Sequence, residues 1–378
     1  MTVKKKLLVI FGTRPEFIKL LPIILYLNLD KKIKLIICNS SQHKDLIKPF
    51  LKFYNIKIDH DLNVLKKGQS LSLLSAQLIK KFDRVVKKIK PDCVIVQGDT
   101  STSFIGSLTA FYNHVKIFHI EAGLRTYNIF SPWPEEINRQ FISKLSSHHF
   151  APTQLARENL IKEGFISKDI TLTGNTVIDL LFITLNSINK NKLVKSNLQK
   201  KFNYIDKEKF KILISVHRRE NFGKPLKEIF ESINEIAKNK DFQIIYCIHT
   251  NPNVINSSKK YLKKSSNIIQ IKSLNYIEFI YMMNEVDFIM SDSGGIQEEA
   301  PSLGKPNIIL REYTERPEAI NEGSAILVSL NKKSILNNFN NIYKNKKKLQ
   351  SMSVKRNIYG NGNSAKIISE KIIRILDN

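Results

Sequence analysis

Short apolar runs alternate with longer amphipathic stretches along most of the chain. The runs are KLLVIF, IKLIIC, CVIVQG, KIFHIEA, HHFAP and ITLTG, then KILISVH, FQIIYCIH, NIIQI, DFIMSD, PNIILR and SAILV. Rich in Ile and Val and short for helices, they read as β-strands, and their near-continuous apolarity is that of parallel strands covered on both faces. The amphipathic segments between them, roughly 10 to 20 residues each, read as crossover helices. Two such series predict an α/β protein of two doubly wound, Rossmann-like domains with an interdomain cleft. The stretch TLNSINKNKLVKSNLQKKFNYIDKEKF is polar and lacks buried-strand character. It places a junction at 184–210, between an N-terminal domain at 1–183 and a C-terminal domain at 211–360. The tail beyond about residue 330 reads as two helices, the last of which, 361–378, is expected to pack back on the first domain.

Composition narrows the class. A chain of 378 residues accommodates two domains of ordinary size. With 42% hydrophobic and 25% charged residues it is globular rather than disordered. None of the apolar runs approaches the roughly 18 residues of a membrane span, so no membrane insertion is expected. The opening MTVKKKLLVIF breaks at GTRPE and reads as a first strand rather than a signal peptide. Cys38, Cys93 and Cys247 are far apart, the latter two inside strand-like runs, which suits a reducing cytoplasm and offers neither a disulfide framework nor metal-ligand spacing. The net charge of +26 raises nucleic acid, an anionic surface or an anionic substrate as partners. Because the lysines are spread through the chain, a solvated surface is the expectation and nucleic-acid binding the remote alternative.

In open parallel sheets ligands bind beyond the carboxyl ends of the strands, so the residues after each apolar run carry the chemistry. After the first strand, GTRPEFIK offers Gly12 at a turn, Pro15 suited to a first helical position, and the cations Arg14 and Lys19 beside a helix start, where a diphosphate would fit. The motif is no GxGxxG fingerprint, which argues against a nicotinamide cofactor. CVIVQGDT sets Asp99 beyond one strand and KIFHIEAGLRT sets Glu121 beyond another, with Arg125 behind it; Asp99 alone could be a helix cap. SPWPEEINR adds Glu135 and Glu136, which equally suit the role of helix-start acids favoured by the macrodipole. Several acids at one crevice suggest proton transfer. In the second series His217 ends a strand and leads into Arg218 and Arg219, as a phosphate ligand could. In SDSGGIQEEAPSLGKP, Ser293, Gly294 and Gly295 can present backbone N–H groups to a phosphate at a helix start. Glu299, about a turn further in, suits the hydroxyls of a ribose, and Arg316 in YTERPEA is a further nucleotide contact.

Taken together and in order, FGTRPE, GDT, HIEAGLRT, SPWPEEINR, TGNTVIDLL, HRREN, SDSGGIQEEAPSLGKP and TERPEA make the chain resemble the bacterial non-hydrolysing UDP-N-acetylglucosamine 2-epimerases over nearly its whole length. That resemblance implies the two-domain arrangement shared with many nucleotide-sugar glycosyltransferases, a UDP-N-acetylglucosamine (UDP-GlcNAc) substrate, no cofactor or metal, and a cytoplasmic homodimer. It assigns Arg14, Lys19 and His217 to the diphosphate, with His217 counted also among the catalytic groups. Ser293, Gly294, Gly295, Glu299 and Arg316 complete the nucleotide site, Phe279 lies against the uracil, and Asp99, Glu121 and Glu135 are the catalytic acids. It also gives Gln42 and His43 to a second, activating UDP-GlcNAc. One departure is Leu274 in SLNYIEF, where the family often has Gln. The C2 hydrogen of such a substrate is not beside a carbonyl, so epimerisation would run by elimination of UDP to 2-acetamidoglucal and re-addition. Alternatives are a related UDP-sugar 2-epimerase, a hydrolysing epimerase and a glycosyltransferase of similar fold.

Overall fold

The structure is a computed structural model and describes residues 4–41, 44–65 and 68–377. The chain divides into two compact units, Met1–Leu180 together with Tyr359–Asn378, and Leu181–Ile358.

Among the described residues the first unit holds seven strands: β1 (Lys5–Phe11), β2 (Ile33–Asn39), β3 (His60–Asp61), β4 (Cys93–Gln97), β5 (Lys116–Ile120), β6 (His148–Ala151) and β7 (Ile170–Leu172). They form one sheet in the order β3-β2-β1-β4-β5-β6-β7, every pairing parallel. Alternation along β1 divides its side chains. Leu8 and Ile10 join a core with Val94 and Val96 of β4 under Leu74, Leu78 and Phe82 of the helix Leu71–Ile89. Phe11 turns the other way and meets Phe17 of the helix Arg14–Leu27, ring centroids 4.9 Å apart. Burial on both faces is why these strands read as continuous apolar runs. The two-residue β3 has no such run and is invisible in the pattern.

The second unit repeats the plan with β8 (Phe210–Ser215), β9 (Phe242–Ile248), β10 (Ile268–Lys272), β11 (Phe288–Ser291), β12 (Asn307–Ile309) and β13 (Ala325–Leu327), in the parallel order β10-β9-β8-β11-β12-β13. Ile212 and Ile214 of β8 pack with Leu226, Ile229 and Phe230 of the helix Lys224–Ile236 and with Ile335 and Phe339 of the helix Lys332–Lys344. In both sheets the strand order reverses beside the first strand, between β1 and β4 and between β8 and β11, so a crevice opens there at the carboxyl ends.

Two details differ from the sequence expectation. Residues 184–210 are no free-standing junction: they belong to the second unit and include the helix Lys192–Lys201. Leu198 and Phe202 are buried there, Phe202 stacks on Tyr281 with centroids 5.7 Å apart, and Gln243 Nε2 donates to the Tyr204 carbonyl at 2.8 Å. Leu198 and Phe202, with Ile188, make three buried apolar residues that dock a stretch whose bulk is polar. The tail forms three helices, Lys332–Lys344, Lys346–Met352 and Ser364–Asp377, because Asn345 closes the first and caps the second through its side chain.

Candidate active site

The turn after β1 is shaped by Gly12. A Cβ there would lie 2.1 Å from Ser40 Oγ and 2.5 Å from Thr102 Oγ1, so a side chain would have to displace this hydrogen-bonded pair of hydroxyls. Thr13 caps the following helix and Glu16 completes a capping box, which puts Pro15 at the second helical position rather than the first. The Glu16 carboxylate is buried and takes N–H donations from Gly12 at 3.0 Å and Thr13 at 2.7 Å. It also accepts from the hydroxyls of Thr100 at 2.6 Å and Ser103 at 2.8 Å. Burial raises the Glu16 carboxyl above its usual range, against the lowering pull of these hydrogen bonds. The chain's own carboxylate thus closes the turn that leads into this helix. Arg14 stands beside it with its guanidinium carbon 6.0 Å from the Phe50 ring centroid.

Glu121 follows β5 directly, in the left-handed region at φ 62°, a conformation uncommon for a residue with a side chain. Its carboxylate receives Lys19 Nζ and Asn175 Nδ2 (2.8 Å) on one oxygen and Gln97 Nε2 on the other. Asp99 lies two residues beyond β4. Arg139 donates to its carboxylate, and Asn138 Nδ2 donates to its carbonyl at 3.0 Å. Burial, opposed by Arg139 and reinforced by Glu121, raises the Asp99 carboxyl above the usual carboxylate range. The adjacent glutamates have different jobs. Glu136 is fully buried, accepts from the backbone N–H groups of Thr126 (3.0 Å) and Tyr127 (3.1 Å), and so anchors the loop before its helix. Glu135 opens the helix Glu135–Leu145 and is half-buried. Arg125 turns to Glu163, with Nε and Nη2 at 2.6 and 2.8 Å from its two oxygens.

In the second unit Asp292, fully buried just beyond β11, organises the turn after β8. It accepts from the backbone of His217 (2.9 Å) and Arg218 (2.9 Å) and from Asn221 Nδ2 (2.9 Å), while His217 Nδ1 stands 3.2 Å from its other oxygen. The helix Gly294–Leu303 begins beside it, and Ser293 at its N-cap makes no side-chain capping bond. A Cβ on Gly294 would lie 3.1 Å from Arg316 Nη1 and 3.4 Å from Arg218 Nη2, so two guanidinium groups converge on this helix start. Arg316 is held by Glu298 and Glu315, and Arg311 pairs with Glu220 and Glu315 at 2.8 and 2.9 Å. Burial, then the nearby Arg311, loosens the Arg218 proton relative to an ordinary arginine. Burial works against ionisation of Glu315, yet Arg316, Arg311 and Arg218 hold it well below the usual range. Of the neighbouring glutamates 298 and 299, then, Glu298 holds an arginine and Glu299 accepts from Tyr276 Oη at 2.9 Å. Phe279 is half-buried on the helix Tyr276–Glu285, of which Tyr276 is the first residue.

Sequence-predicted residues therefore gather as two groups. Lys19, Asp99 and Glu121 share one electrostatic neighbourhood in the first unit, and His217, Ser293, Gly294, Gly295, Glu299 and Arg316 stand around the β8 and β11 ends of the second. Gln42 and His43 lie outside the described residues. Sequence reasoning missed Glu16, Gln97, Arg139, Asn175, Tyr276, Asp292 and Arg311. The signal for Asp292 and Asn175 was available: each is a polar residue just past an apolar run, inside a motif already singled out. Among the described residues no group of three or more His, Cys, Asp or Glu is placed to hold a metal ion.

The chain as a whole is similar to known proteins. Residues 26–376 match the family model described as UDP-N-acetylglucosamine 2-epimerase. A UDP-N-acetylglucosamine 2-epimerase of Neisseria meningitidis is 43% identical over 370 residues, covering 98% of this chain and 99% of that protein. Its counterpart in Campylobacter jejuni is 44% identical over 377 residues, covering 98% and 97%. Among solved structures, the N. meningitidis UDP-GlcNAc 2-epimerase bound to UDP-GlcNAc superposes with a TM-score of 0.93 at 43% identity, covering 98% of this chain and 100% of that one. The Methanocaldococcus jannaschii enzyme in complex with UDP-GlcNAc and UDP gives 0.82 at 35% identity, covering 98% and 99%.

Proposed function

The chain belongs to the UDP-N-acetylglucosamine 2-epimerase family, and from that premise we infer that it interconverts UDP-GlcNAc and UDP-N-acetylmannosamine at C2. The observation that carries the reading is the convergence of Arg218 and Arg316 on the start of the helix Gly294–Leu303, where the N-cap side chain makes no capping bond. Backbone N–H groups and guanidinium forks suit a diphosphate, both in the bound sugar nucleotide and, more so, as the leaving group. Glu299 and Tyr276 suit the ribose hydroxyls, and Phe279 the base.

The chemistry follows from the substrate. A C2 proton without an adjacent carbonyl is a poor acid, so a base removes it as the C1–oxygen bond to UDP breaks. The electron pair of the C2–H bond becomes the C1–C2 double bond of 2-acetamidoglucal, and UDP leaves with the electrons of the C1–oxygen bond. Return of a proton to the opposite face of C2, with UDP re-adding at C1, gives the manno epimer. Asp99, Glu121 and Glu135 supply the acid–base groups. Asp99, raised by burial, is suited to proton exchange nearer neutrality than an ordinary aspartate. His217, set by Asp292, adds a donor to the diphosphate. The same reading has the enzyme working as a cytoplasmic homodimer, with Gln42 and His43 holding a second UDP-GlcNAc as activator; sigmoidal forward rates that a Gln42→Ala, His43→Ala variant flattens are its test.

Proton NMR of the protein with UDP-GlcNAc in deuterated buffer tests the reaction. The expected outcome is a mixture of gluco and manno UDP-sugars carrying deuterium at C2, with only traces of free UDP. An unexchanged C2–H with stoichiometric UDP release would overturn it.

A further inference from the structure

Three consecutive residues after β7 touch the acid Glu121, its lysine and the C-terminal segment together. Asn175 Nδ2 donates to Glu121 Oε1 at 2.8 Å, the oxygen that also receives Lys19. The orientation of its amide is fixed, because Asn175 Oδ1 accepts from Val177 N at 3.2 Å. Thr176 Oγ1 donates to the Lys19 carbonyl at 2.5 Å, so the lysine is located from the same joint. The backbone N–H of Asn175 donates to the Tyr359 carbonyl at 2.6 Å. At Gly174, with φ 83°, a Cβ would lie 2.7 Å from Ser364 Oγ and 2.9 Å from Gly360 Cα, which means the two segments are in direct backbone contact. Further along, Asp179 Oδ1 accepts from Ala365 N at 2.8 Å and fastens the start of the last helix.

We propose that Asn175 is a positioning residue for Glu121, and that the C-terminal segment from Tyr359 to Ala365 sets its place. Glu121 is held from three separate parts of the chain: the helix after β1 through Lys19, β4 through Gln97, and the joint after β7 through Asn175. The left-handed backbone at Glu121 fixes where the side chain starts, and the donors Lys19, Gln97 and Asn175 help hold its carboxylate in place. Loss of one donor frees the carboxylate to swing, and a displacement on the order of an ångström at a reacting group can cost about 10²-fold in rate. The last segment of the chain thereby governs an acid in the middle of its sequence. This proposal rests on the reading of Glu121 as a catalytic acid.

The test compares Asn175→Ala, Gly360→Ala and their combination with the unaltered enzyme. Asn175→Ala should lower kcat about 10- to 100-fold, with KM for UDP-GlcNAc and calorimetric UDP affinity unchanged. A merely structural loss would instead lower the folded fraction and move both constants. Gly360 has φ 123°, and a Cβ there would stand 3.3 Å from Gly174 Cα, so Gly360→Ala shifts the seat of Asn175 without touching the acid. If the segment acts through Asn175, the double variant has a kcat no lower than that of Asn175→Ala. Should Gly360→Ala not fold, Asp179→Ser, which releases the Ala365 anchor, takes its place. An unchanged kcat in Asn175→Ala overturns the positioning role, and multiplying effects in the double variant overturn the role of the segment. An unaltered enzyme that exchanges no C2 proton overturns the reading of Glu121, and this proposal with it.

Discussion

Acidification should weaken the first unit by a predictable amount, because three histidines are kept neutral in its core. His119 on β5 and His148 and His149 on β6 are neighbours across the sheet, with His119 paired to His149 in register, and all are buried. Burial, in each case the largest cause, pushes His119 and His148 down to about 4 and His149 to about 3, the last reinforced by His119 and His148 beside it. His119 Nε2 lies 2.8 Å from the Gly98 carbonyl and so carries the proton, and its Nδ1 has no hydrogen-bond partner. An unfolded chain takes up protons at these side chains near the ordinary value of about 6.5. The folded values are depressed, so the unfolded state binds more protons and stability falls as pH drops from about 6.5 towards about 4. At about pH 5.5 each histidine favours unfolding by ~1.4 kcal/mol more than at about pH 7.5, or ~4 kcal/mol for the set. That is a large part of the roughly 5–15 kcal/mol typical of a folded protein. Glu16, Asp99 and Asp179, raised by burial, act in the opposite sense at lower pH, since the folded state takes their protons first. A comparison with His149→Phe separates the two effects. The new ring keeps the packing against Phe165, whose centroid is 4.7 Å away, and removes an Nδ1 that has no partner. Urea unfolding followed by circular dichroism at both pH values should show the variant losing ~1.4 kcal/mol less than the unaltered protein. Equal losses in both, or an imidazole of this set titrating near 6.5 in the folded state by NMR, would refute the reasoning.

Asp99→Asn, Glu121→Gln and Glu135→Gln should each cut turnover by about 10²-fold or more with calorimetric UDP affinity nearly unchanged. Loss of UDP binding with turnover kept would reverse the division of labour. Arg316→Ala and Glu299→Ala should do the opposite, weakening UDP binding by about 10-fold or more, as expected for charged or buried hydrogen-bonding partners. Asp292→Ala takes the Asp292 acceptor from the backbone N–H groups of His217 and Arg218 and leaves the Asn221 amide only its bond to the Leu310 carbonyl. A cost of ~3–5 kcal/mol is expected, read as a lower melting temperature together with weaker UDP binding, and Asp292→Asn, which keeps one acceptor oxygen, should cost less.

Apart from β3, the strands of this protein are legible in its sequence, because a parallel strand buried on both faces must be apolar throughout and helices of such short length are rarely apolar on every side. Strand ends then point to the crevice, which is how Asp99, Glu121, His217 and Ser293 could be picked out. What holds those residues was not legible. Lys19 and Glu121 are 102 positions apart, Asn175 and Glu121 54, and His217 and Asp292 75. Such pairs are brought together by strand order, which a one-dimensional pattern does not contain. The neighbouring acids show the same limit: at 135–136 and at 298–299 the sequence offers two equal carboxylates, and only packing decides that Glu136 anchors a loop and Glu298 an arginine. The docking of 184–210 was hidden for a related reason, since three scattered buried apolar residues, Ile188, Leu198 and Phe202, leave no clear periodic signal in a polar stretch.

The two sheets share one strand order yet put their helix starts to different use, and the difference is written in capping residues. In the first unit the helices entering the switch point are closed by the chain itself: Thr13 and Glu16 cap one, and Thr100 accepts from Ser103 N to cap the other. There the buried Glu16 carboxylate accepts two backbone N–H groups of the turn and two hydroxyls. In the second unit Gly223 and Ser293 precede helices without a side-chain cap, and the guanidinium groups of Arg218 and Arg316 stand beside Gly294, with the Glu299 carboxylate near Gly295. An unfilled helix start costs stability unless water or a ligand satisfies it, and a neighbouring positive charge favours an anionic one. The same topology thus closes the helix starts of one unit with its own side chains and leaves those of the other without a side-chain cap. The residues that decide it are short polar side chains in the first turn, T-x-x-E and T-x-x-S against S-G-G, rather than anything in the sheets.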